Sequence, residues 1–230
     1  FVSDQDRVRI ARHYTRIREI TATIPSDLRA VSLNTFLVPM FQTALEHTRA
    51  GEDPVAENRT LFQALAVYLN EEDISQLIGA ELAANLPMPK LIEVRLQRRH
   101  DLAQHLVAIA VITAAAGADI ASMLSTTKEA YDARYRSGFS FSDLTANSVG
   151  VALASLATRD AATATIIQER MSKVVEESDY MPQVGNNRDG ISETDFVAIY
   201  RDRSSPEYQQ RLAEIQSLIE SRPLFSGLRL

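Results

Sequence analysis

A chain of 230 residues with 45% hydrophobic and 23% charged side chains has ordinary globular composition, enough for one large domain or two small ones. Its formal net charge of -6 repels nucleic acid and anionic lipid, so nucleic acid is not an expected partner. The absence of cysteine removes thiol nucleophiles, disulfides and cysteine-bound zinc together.

Read from its first residue, the chain opens on helical periodicity. Ile10, Tyr14, Ile17 and Ile24 fall on one face over residues 3 to 24, behind the start signal of Ser3 to Asp6. Arg9, Arg12 and Arg16 occupy the other face and read as a solvated basic surface. A second helix is expected from Ser32 to Arg49, with Leu33, Phe36, Leu37, Met40, Phe41 and Leu45 inward and Pro39 as a kink. A third runs from Val55 to Leu69 and a fourth from Ile74 to Ala84. His13 and His47, on the first two helices, have no neighbours in sequence that point to chemistry.

The segment "NLPMPK" breaks helix and favours extended backbone, dividing an N-terminal helical region, 1–86, from a second, 87–230, within what is expected to be one compact unit. "LIEVRLQ", residues 91–97, then alternates apolar and charged residues and is the one strand signal, expected as a hairpin or an isolated strand. Helices follow near 99–115, 118–134, 142–157 and 159–178, with Ser142 expected to cap the third of these. Phe139 and Phe141 read as core anchors, Ser192 starts a short helix, and Ser205-Pro206 opens the last. The fold class is all-α: a helical bundle around a central buried helical hairpin, with at most one short β element. The apolar run Leu106 to Ala116 is too short to span a bilayer.

The hairpin carries the candidate site. With its turn at Gly117, His105 lies twelve residues before the turn and Glu129 twelve after it, while Asp101 lies sixteen before and Asp132 fifteen after. Spacings of four and three residues put each pair on one helix face, so the four groups are expected to confront one another, with Asp143 close by. Three chemistries fit such a set. The residues can satisfy one another as a buried network; His105 with the carboxylates can ligate a divalent metal; or Glu129, its pKa raised by burial, can serve as general acid with Asp132 or Asp143 as second carboxylate. His100 points away from His105 by helical phase. No cofactor is called for by any motif.

Asp101 and His105 as D-x-x-x-H, Glu129 and Asp132 as E-x-x-D, and Asp143, Asn147 and Gly150 in "DLTANSVG" together resemble the YfiM-like envelope lipoprotein and VanZ-like pattern. The resemblance covers about residues 100–154 and departs from the pattern at Leu102 and Ala154. It implies association with the bacterial envelope, periplasmic or membrane-anchored, rather than a reaction. Because Phe1 rather than Met opens the chain, membrane proximity through a preceding segment is part of that expectation. The sequence-level expectation is thus an envelope-associated helical domain acting by interaction with an envelope protein or cell-wall component. The alternative is a carboxylate-dependent hydrolase of a peptidoglycan-type glycan.

Overall fold

The computed structural model describes residues 2–117 and 138–230, and over these the chain is a helical bundle with one two-stranded sheet. Helix α1 (Asp4–Thr23) starts where the Ser3 side chain accepts the Asp6 N–H, with Asp4 and Asp6 in the favourable first turn. Helix α2 (Asn34–Arg49) runs through Pro39. Helix α3 (Pro54–Leu69) is capped by Asp53 and begins on proline, whose missing N–H costs nothing at that position. α3 is the axis of the N-terminal half: it packs against α1 and α2 and is buried over most of its circumference. Ile10, Tyr14 and Ile17 of α1 and Phe36, Met40 and Phe41 of α2 close on Leu61, Phe62 and Leu65.

The expected helix 74–84 is two pieces, α4 (Ser75–Ile78) and α5 (Ala80–Ala84), because the backbone at Gly79 takes φ 91° and leaves helical space. The strand signal shortens to β2 (Glu93–Arg95), which pairs in parallel with β1 (Ala30–Ser32), Val31 opposite Val94. The pairing is thus neither a hairpin nor isolated, since the partner comes from a segment with no alternation of its own. The Tyr68 hydroxyl anchors the approach to β2, donating to Lys90 O at 2.7 Å and accepting from Ile92 N at 3.1 Å. Burial pushes its pKa up to about 12.

In the second half, α6 (His100–Ala116) packs along α7 (Phe141–Ala157). The close approach is made at Gly150, where any β-carbon would collide with Ile109 and the Leu106 carbonyl. Ser140, not Ser142, caps α7, accepting from Asp143 N at 3.0 Å. Phe139 and Phe141 are buried in an aromatic cluster with Phe196, Tyr200 and Tyr208. The expected helix 159–178 ends early as α8 (Ala161–Met171), followed by a 3-10 turn at Glu177–Asp179. α9 (Glu193–Tyr200) and α10 (Pro206–Glu220) start at Ser192 and Ser205, each of which accepts a first-turn N–H. One hydrophobic core runs from Ile10 to Phe225. No helix among the described residues is long and apolar enough to cross a membrane.

Candidate functional site

Of the residues singled out on the hairpin, Asp101, His105 and Asp143 are described; Glu129 and Asp132 lie outside the described residues, as does the expected helix 118–134. The three that are described do come together. His105 Nε2 is 3.3 Å from Asp143 Oδ2 and its Nδ1 is 3.1 Å from Asn147 Oδ1, so α7 supplies a wall facing the histidine. Helical phase accounts for this, because Asp143 and Asn147 are four residues apart on the face that Gly150 brings against α6. His100 does point elsewhere: its Nδ1 is 2.7 Å from Val94 O.

Arg99, a residue the spacing argument left out, organises the carboxylates. Its guanidinium donates to Asp101 at 3.1 and 2.7 Å, to Asp189 at 2.8 Å and to Asp143 at 3.4 Å. Asp189 also accepts from Ser140 Oγ at 2.9 Å and Ser142 N at 3.1 Å, binding the C-terminal loop to the start of α7. Burial works to raise the pKa of Asp101, but the bonds from Arg99 outweigh it and hold that carboxyl below its usual range. Asp189 is held low against the same opposing burial, by Ser142, Arg99 and Ser140. The Arg99 guanidinium is correspondingly strengthened as a cation by Asp101 and Asp189, against the burial that opposes it. A carboxylate of this kind is ionised and committed to a cation, the opposite of the protonated state a general acid requires. That applies to Asp101.

Arg99 reaches this position through a turn. Leu96 and Arg99 exchange both backbone hydrogen bonds at 3.0 Å, and the two residues between them, Gln97 and Arg98, have φ of 47° and 64°. Two positive-φ centres make a turn of the I′ kind, normally built from Asn and Gly. Glutamine and arginine there cost about 1 kcal/mol each. Three bonds hold the strain: Gln97 N to Glu177 Oε1 at 2.8 Å, Gln97 Nε2 to Pro182 O at 2.6 Å, and Val184 N to Gln97 Oε1 at 3.1 Å. The same turn borders an open groove of about 870 Å³ lined by Val31, Ser32, Arg95, Arg98, Val175 and Gln183, among others. Arg98 is exposed there and has no side-chain partner among the described residues. Val175, also on the groove, is 84% exposed.

A second polar centre lies between the N-terminal helices, where the sequence offered no signal. His13 of α1, His47 of α2 and Glu57 of α3 converge, with His13 Nε2 at 2.9 Å and His47 Nδ1 at 3.0 Å from the same oxygen, Glu57 Oε2. His13 and Glu57 are fully buried. Burial tends to raise the Glu57 pKa, but the two imidazoles outweigh it and hold the carboxyl low. Arg12 stands behind, 3.7 Å from Glu57 Oε1 and 3.2 Å from Glu52 Oε1, and Arg9 bonds both Asp6 and Glu52. Arg16 bonds Thr43 and Glu19. The arginine face of α1 is therefore docked on acidic and polar partners, mostly from other elements, rather than solvated, which corrects the sequence reading. No sequence signal could have paired Glu57 with residues 44 and 10 positions away on two other helices.

Comparison with protein-family models, curated proteins and solved structures finds no match to this chain.

Proposed function

We propose that this is a non-catalytic binding domain of the bacterial envelope, taking an envelope protein or cell-wall component that presents an anionic group to the groove beside β1. The observation that carries the reading is the Gln97–Arg98 turn: strain at two non-glycine residues, over-determined by three bonds, holds a cation without a described side-chain partner at the edge of an open groove. A volume of about 870 Å³ suits a short extended segment. The groove's two acids are partly spent, since Glu177 accepts from both Ser32 Oγ and Gln97 N and Glu176 accepts from Ser178 Oγ. The resemblance of residues 100–154 to the envelope pattern supports the setting.

The test is cosedimentation of the purified protein with peptidoglycan sacculi and with envelope membranes that retain their proteins. Retention on either, weakened about tenfold by Arg98→Glu with melting unchanged, is the expected result. No retention of the wild type on either removes the reading. Digestion of sacculi by wild type, lost in a folded Glu129→Gln variant, replaces it with the hydrolase.

A further inference from the structure

We infer that His13, His47 and Glu57 form a binding site for a divalent transition metal of the zinc class, fastening α1, α2 and α3 to one another. The donor set is two imidazole nitrogens and one carboxylate oxygen, each from a different helix, all within 4.8 Å of one another. Zinc takes such a set in tetrahedral or five-coordinate geometry, with donors about 3.3 Å apart for bonds of about 2.0 Å. The separations from Glu57 Oε2, 2.9 and 3.0 Å, need to open by only a few tenths of an ångström.

The hydrogen bonding argues for an ion rather than a self-satisfied cluster. His13 is fully buried, yet neither ring nitrogen makes a hydrogen bond: Nδ1 has no partner, and Nε2 lies 2.9 Å from the carboxylate oxygen but off the direction an N–H needs. Glu57 Oε1 likewise accepts no hydrogen bond. Buried polar groups without partners are rare and call for an explanation, of which an ion is one. His47 Nδ1 is aligned with Oε2 as a hydrogen bond, but the fully buried His13 is not, and an ion between the three donor atoms would give its Nε2 the partner it lacks.

Access and charge set the character of the site. His47 has a quarter of its side chain exposed and lines a cavity of about 360 Å³ with Arg12, Thr15 and Thr43, so a fourth position faces solvent. Arg12 lies on the far oxygen of Glu57, which leaves Oε2 as the ligand and orients the carboxylate from outside. Its positive charge opposes the ion and limits affinity.

The experiment uses the whole chain, stripped with a chelator and reloaded. Expected are about one equivalent of zinc by elemental analysis, a rise in Tm of about 5 °C or more at ~100 times Kd, and visible absorption of tetrahedral type when cobalt replaces zinc. His47→Ala, at a partly exposed position, is expected to abolish all three while remaining folded, whereas His105→Gln keeps them. A wild type that binds no zinc and gives no cobalt spectrum overturns the proposal. So does a shift that survives His47→Ala but is lost in His105→Gln, since the ion then sits at the other polar centre.

Discussion

The two polar centres use the same residue types to opposite ends. Around Arg99, three aspartates meet one guanidinium, with His105 beside Asp143, and each of the three has a cationic partner in reach at a half-open edge of the fold. Around Glu57, one fully buried carboxylate meets two imidazoles, and its nearest guanidinium stands back at 3.7 Å. What a carboxylate does is decided by what faces it. A guanidinium with five fixed donors saturates aspartates, whereas imidazole nitrogens can present lone pairs and leave a point of convergence open.

The sharpest way to break the comparison is to remove each carboxylate centre in turn. Glu57→Ala takes the carboxylate from the fully buried His13 and is expected to cost about 3 kcal/mol by denaturant titration. Glu57→Gln keeps the shape and should cost less. A loss below that of any Arg99 variant would mean the buried centre is not the more tightly determined of the two. Next in size is Gly150→Ala, which pushes α7 away from α6 through Ile109 and Leu106 and is expected to cost about 2 kcal/mol. Because Asp143 and Asn147 ride on α7, the His105 ring resonances should also move in the variant's NMR spectrum. Unmoved resonances would separate the helix packing from the network.

Arg99→Met comes third, at about 1 kcal/mol, because the network is partly exposed and solvent screens it. Its signature is in the pH dependence. Asp101 and Asp189 have folded pKa values below their unfolded ones, so the unfolded chain binds more protons in acid. Their contribution is present above the ordinary carboxylate range of about 4 and is lost as pH falls through the depressed folded values. Melting curves between about pH 6 and pH 2.5 should therefore show a steeper acid decline in wild type than in Arg99→Met. Parallel curves would assign the depression to other partners. The smallest effect is His105→Gln, expected at about 0.5 kcal/mol, since a glutamine amide can still donate toward Asp143.

The all-helical class, most of the helix positions and the burial of Phe139 and Phe141 were legible in the chain, because amphipathic periodicity and cap residues are local signals. Ser192 and Ser205 act over three residues, and so could be read. D-x-x-x-N places Asp143 and Asn147 on one helix face, but the spacing argument set His105 against Glu129, so neither its meeting with the α7 motif nor the identity of the hub was legible. Arg99 gathers aspartates from positions 101, 143 and 189, and only the packing of α6 on α7 and the return of the loop near 189 make it a hub. The partner of β2 was equally hidden, because a three-residue strand without alternation is defined by the hydrogen bonds it receives. The Glu57 centre stands furthest from the sequence: three residues on three helices acquire a shared meaning only through the angles at which those helices cross. Sequence fixes which face of each helix is apolar; tertiary packing alone decides which polar groups are trapped together between those faces.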